Sequence, residues 1–112
     1  MYKGDKKKIE EVGELIAQNY ADKLTIEELA KQAGMCETKL KFCFRKYFQM
    51  SLHQYQIKYR MEQAAKLLHL TDQSIQDIAL QVGYSSISHF THTFKIYYRL
   101  TPTEFRKKQE EF

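Results

Sequence analysis

The chain repeats itself. TIEELAKQAG at residues 25–34 aligns with SIQDIALQVG at 74–83 at an offset of 49, matching Ile26 with Ile75, Leu29 with Ile78, Ala30 with Ala79 and Gly34 with Gly83. Past the glycine the offset becomes 50, and Leu40 pairs with Phe90, Phe44 with Phe94, Arg45 with Lys95, Ser51 with Thr101 and Tyr55 with Phe105. The fold must therefore solve the same local problem twice, in two copies of one unit whose second turn is one residue longer.

Each copy has readable physics. Thr25 and Ser74 are suited to cap helix N-termini, and Glu28 and Asp77 stand three residues on, as in a capping box. Gly34 and Gly83 fall where the short helix must stop and turn sharply, a position that favours positive φ and hence glycine. Met35 and Tyr84 follow as apolar residues able to pack back on the helix. A second helix then opens at Cys36 or Ser86. Its inward face is expected to be Leu40, Cys43, Phe44 and Tyr47 in the first copy, and Phe90, Thr93, Phe94 and Tyr97 in the second, spaced i, i+3, i+4, i+7. Small Ala30 and Ala79 allow two short helices to cross closely. Helix, glycine turn, helix is the helix-turn-helix, whose second helix can enter a DNA major groove; a single copy could equally be a plain helical hairpin.

Gly and Pro are scarce, at four and one in 112 residues, and apolar residues recur at helical spacing, as in Ile9, Val12, Ile16 and Tyr20. The expected fold class is all-α. The 43% apolar content suffices for one small domain without staples. Lysine and arginine total 18 against 14 acids, a formal charge of +4 that favours an anionic partner. The charge is sorted: Lys39, Lys41, Arg45, Lys46, Lys58 and Arg60 lie between Cys36 and Arg60 against Glu37 alone. Cys36 and Cys43 are seven residues apart, roughly 10 Å on one helix, beyond disulfide reach, which points to ordinary thiols in a reducing cytoplasm. No apolar run approaches a membrane span, and MYKGDKKK lacks the apolar stretch of a secretory signal, so a cytoplasmic protein with no membrane partner is expected.

The stretches LTIEELAKQAGMCETKLKFCFRKYF, QYQIKYRMEQAAKLL and SIQDIALQVGYSSISHFTHTFKIYYRLTPTEFR resemble the DNA-binding domain of AraC/XylS-type transcription regulators, from about residue 8 to 107. The resemblance implies seven helices: a first helix-turn-helix unit at about 8–51, a linker helix at about 52–70 and a second unit at about 71–108. A linker near 27 Å could hold two reading helices about one DNA turn apart, in successive major grooves of one duplex. It also implies sequence-specific double-stranded DNA binding in bacterial transcription, an RNA polymerase partner if the regulator is an activator, and an upstream sensing or dimerisation domain. The chain is then either a fragment of such a regulator or a short stand-alone member. Three positions depart from the family pattern. Gln49 and Arg99 stand where glycine is usual, and Cys36 replaces a serine cap; either the helices end differently there or the cost of a non-glycine at positive φ is absorbed.

Carried over by position, base contacts are expected from Glu37, Thr38, Lys41 and Phe42 on the first reading helix and from Ser88, Thr91 and His92 on the second. Lys41 can reach guanine O6 and N7, with a phosphate contact or solvation as the alternative. Phe42 could meet a thymine methyl or join the core. Phosphate contacts are expected from Arg45, Lys46, Ser86 and Lys95, and from Arg60 and Arg106, for which structural pairing and solvation stay open. His89 and His92 lack the i, i+4 spacing of helical zinc pairs, and no nearby ligand completes a set, so neither metal nor cofactor is expected. Ser85, Ser86 and the histidines have no positioned carboxylate, and no glycine-rich phosphate loop exists, so no catalytic residue is assigned. The rival reading is a helical protein-interaction module binding an acidic protein. RNA binding ranks below both, since stacking-sheet aromatics are missing.

Overall fold

The computed structural model describes residues 3–110, which form seven α-helices and, among the described residues, no strand. They are α1 (Lys3–Gln18), α2 (Ile26–Ala33), α3 (Glu37–Phe48), α4 (Leu52–Leu70), α5 (Ile75–Gln81), α6 (Ile87–Tyr98) and α7 (Pro102–Glu110). The all-α expectation and the helix count both hold. The chain divides into two compact units, Met1–Lys58 and Tyr59–Phe112, with the division inside α4.

In the first unit α1 packs on α2 and α3. The core gathers Ile9, Val12 and Ile16 of α1 with Leu29, Ala30 and Ala33 of α2 and Leu40, Cys43 and Phe44 of α3. Tyr20 departs from the expected α1 face because the helix ends at Gln18. In the second unit α6 packs on α5 and α7, and Met61, Ala64, Leu68, Ile78, Ala79, Val82, Tyr84, Phe90 and Phe94 are buried.

Both glycine turns are built alike. The Gly34 N–H donates to the Lys31 carbonyl at 3.1 Å and the Met35 N–H to Ala30 at 3.0 Å; the Gly83 N–H donates to Leu80 at 3.2 Å and the Tyr84 N–H to Ala79 at 2.8 Å. This paired pattern is a Schellman stop. Gly34 and Gly83 have φ of 65° and 107°, as the sequence predicts, and at 107° a side chain would be strained well beyond the usual left-handed penalty. Thr25 and Ser74 accept from the Glu28 and Asp77 N–H groups at 3.2 and 3.0 Å.

The repeat extends into contacts between residues distant in sequence. Phe44, Phe48 and Tyr55 form an aromatic triangle with centroids 4.5, 4.7 and 5.3 Å apart. Phe94, Tyr98 and Phe105, 50 residues on, form the same triangle at 4.8, 5.5 and 5.4 Å. This corrects one expectation. The inward face of α6 continues through Tyr98, and Tyr97 is 42% exposed. Reciprocal capping boxes start α4 and α7: Ser51 with Gln54 and Thr101 with Glu104, all four bonds between 2.9 and 3.1 Å.

A polar clip completes each unit. Gln56 donates to the Tyr20 and Asp22 carbonyls at 2.9 and 2.7 Å, fixing the connection between α1 and α2. Its counterpart at offset 50 is Arg106, which donates to the carbonyls of Leu68, Gln73 and Thr71 at 3.0, 2.6 and 3.2 Å and fixes the connection between α4 and α5.

Candidate nucleic-acid interface

The α3 helix has a buried face of Leu40, Cys43 and Phe44, which leaves the opposite stripe to solvent. Glu37, Thr38, Lys41, Phe42, Arg45 and Lys46 all lie on that stripe and are exposed. Thr38, Lys41, Phe42, Arg45 and Lys46 line one surface groove, so the structure brings five expected DNA contacts together. Phe42 is 67% exposed, which removes it from the core. The Lys46 ammonium lies 5.9 Å from the centre of its ring, close enough for a cation–π attraction. Lys39, on the same helix, is drawn to α1 by an ion pair with Asp5 at 3.3 Å. Cys36 caps α3 without a side-chain hydrogen bond, and both cysteines are free, Cys36 exposed and Cys43 buried.

On α6, Phe90 and Phe94 are buried. Ser88, His92 and Lys95 are exposed, and Thr91 is half-buried beside them. Ser86 caps the helix by accepting from the His89 N–H at 3.3 Å, which leaves its hydroxyl proton available to an external acceptor. The His89 ring meets the Tyr84 ring edge-on at 5.1 Å. The Arg60 guanidinium sits over the same tyrosine, 5.0 Å from its centre, tying α4 to the turn that presents α6. Sequence reasoning did not reach this stack, since nothing local links Arg60 to Tyr84.

Three of the five Arg106 donors are committed to backbone carbonyls. That gives Arg106 the structural pairing that was one of the roles left open by the sequence, on the connection between α4 and α5. Gln49 and Arg99 do end their helices in the left-handed region, at φ of 61° and 64°. Each makes the bond of an αL cap, donating to the Arg45 and Lys95 carbonyls at 2.8 and 2.7 Å. The Gln49 side chain adds a bond to the Lys46 carbonyl at 2.8 Å, partly offsetting the strain of about 1 kcal/mol.

Among the described residues, no group of three His, Cys, Asp or Glu side chains could hold a metal ion, and no helix is long and apolar enough to cross a membrane. On its exposed face α3 offers long cations and an aromatic ring, and α6 offers hydroxyls, an imidazole and a lysine. These are groups that contact base edges and phosphates in a nucleic-acid groove.

Comparison with known proteins agrees. The pattern of a helix-turn-helix domain family matches residues 29–108. A helix-turn-helix transcriptional regulator of Haemophilus influenzae is 42% identical over 82 residues, covering 73% of this chain and 28% of its own length. The chain thus spans little more than a quarter of that regulator. The probable transcription factor PqrA of Proteus vulgaris is 37% identical, covering 75% of this chain and 69% of the relative. The crystal structure of a Chromobacterium violaceum transcriptional regulator, described as an AraC-type DNA-binding domain-containing protein, superposes with a TM-score of 0.84 at 29% identity, covering 96% of each chain. The chain belongs to the AraC-type helix-turn-helix family, the DNA-binding domains of transcription regulators, and not to a family of enzymes.

Proposed function

We propose that α3 and α6 are the reading helices of a sequence-specific duplex-DNA binder and that they enter successive major grooves of one site. The observation that carries this is the outer face of α3, where Thr38, Lys41, Phe42, Arg45 and Lys46 line a single groove on a helix anchored by its opposite face. Lys41 reads guanine, Phe42 contacts a thymine methyl, and Glu37 and Thr38 take neighbouring base edges. Arg45 and Lys46 meet phosphate. On α6, Ser88, Thr91 and His92 read bases at closer range, while Ser86 and Lys95 hold phosphates; Arg60, stacked on Tyr84, adds a phosphate contact at the root of α6.

Both readers belong to one polypeptide, so the chain binds as a monomer. An upstream sensing or dimerising domain, RNA polymerase contact in an activator and a cytoplasmic location complete the reading, supported by the greater length of the Haemophilus regulator. Selection of bound sequences from a random duplex pool tests it. A consensus with two specified segments about one helical turn apart is expected. Recovery of no consensus, or an obligate dimer on the shortest bound duplex, contradicts it.

A further inference from the structure

The first unit contains a cavity of about 510 Å³ that the DNA-reading function does not use. Its apolar walls include Leu24 from the connection between α1 and α2, Leu29 from α2 and Leu52 from the start of α4. Lys41 and Arg45 line it as well, and the same two residues line the groove on the outer face of α3. Two spaces therefore share one pair of cations.

The chemistry of the lining selects an occupant. Among the described residues neither Lys41 nor Arg45 has an ion-pair partner. Of the other polar groups in the lining, Ser51 is held in its capping box with Gln54 and Gln56 by the carbonyls of Tyr20 and Asp22, while His53 is exposed. An aliphatic wall favours an apolar body. Two unpaired cations in that lining favour a single negative head, and a charge-assisted bond to that head is the strongest contact available there. The volume lies within the ~300–1,000 Å³ typical of small-molecule sites.

We propose that this cavity binds a small amphipathic anion, an apolar chain of medium length bearing one carboxylate, and that its occupation excludes DNA contact by Lys41 and Arg45. The carboxylate draws both cations toward the cavity, and neither can then serve a base or a phosphate. The exclusion rests on the DNA-reading role of Lys41 and Arg45; the site itself does not.

The test is a titration of the ¹⁵N-labelled chain with sodium decanoate, followed by ¹H–¹⁵N NMR, with decanol and decyltrimethylammonium as neutral and cationic controls. Decanoate is expected to shift the Leu24, Leu29 and Leu52 amides saturably, with decanol about tenfold weaker for want of the charged contact. In a duplex-binding assay, saturating decanoate is expected to lower affinity about tenfold, as loss of a base-reading cation would. Leu24→Trp, whose indole fills the cavity at a residue outside the reading face, is expected to bind duplex normally and to ignore decanoate. Absence of saturable shifts in the unmodified chain, or equal shifts with the cationic control, overturns the site whatever the behaviour of Leu24→Trp. Saturation with unchanged duplex affinity overturns the exclusion. A chain that binds no duplex even without decanoate would instead refute the DNA-reading role, and the NMR titration would still decide the site.

Discussion

Two arginines of the second unit show how far a residue's environment sets its role. Arg99 ends α6 at φ of 64° with an exposed side chain that makes no compensating cap of its own. Arg99→Gly is therefore expected to raise stability by up to about 1 kcal/mol, read as a higher denaturant midpoint. An unchanged or lower midpoint would show that the left-handed cap carries no strain. Arg106 is the opposite case, a half-buried cation engaged by three carbonyls. Arg106→Ala is expected to cost about 2–4 kcal/mol, because bonds from a charged donor are each worth about 1.5–3 kcal/mol before the loop relaxes. The salt dependence of DNA binding by the folded fraction should stay as it was. A flatter salt slope with unaltered stability would place Arg106 on a phosphate after all. Sequence alone left Arg106 open between these fates, since its partners are 33 to 38 residues away.

At the scale of elements, the legible features were those with a local cause. Caps, glycine stops and the face of α3 follow from residues within four positions of one another, and they appear where the repeat puts them. The misplaced Tyr97 has a different origin. The i, i+3, i+4, i+7 template places it inward, but α7 closes over α6 and the inward line runs through Tyr98 to meet Phe105. The consequence is measurable. Burial, with smaller contributions from Tyr97 and Glu62, pushes the Tyr98 hydroxyl up to about 12. The unfolded chain releases this proton first as pH rises, so the stabilisation is complete below pH 10 and is lost between about 10 and 12. Tyr98→Phe is expected to flatten alkaline unfolding in that window, and an identical pH profile would count against the packing of α6 on α7. The proposed reading roles of α3 and α6 also predict a division of labour. Lys41→Ala is expected to cost about 1–3 kcal/mol of binding and relax preference at one or two base pairs. His92→Ala is expected to cost less than Lys41→Ala on the same duplex. Equal weakening of selected and scrambled DNA by Lys41→Ala, with loss of preference in His92→Ala, would reverse the assignment.

For the molecule as a whole, the two units carry matching aromatic triangles, matching stops and matching clips, yet they present different chemistry to a groove. The first offers long cations around an exposed phenyl ring; the second offers hydroxyls, an imidazole and one lysine. The central claim is that this pair reads duplex sequence. The measurement that tests it most directly is equilibrium affinity for the selected duplex and for a scrambled duplex of equal length across a salt series. Log affinity is expected to fall linearly with log salt on both, and the selected duplex should be favoured by about 10³-fold or more. Equal affinity for the two duplexes at every salt concentration would contradict sequence reading, and the absence of duplex binding beside tight binding to an acidic protein would return the chain to the interaction-module reading.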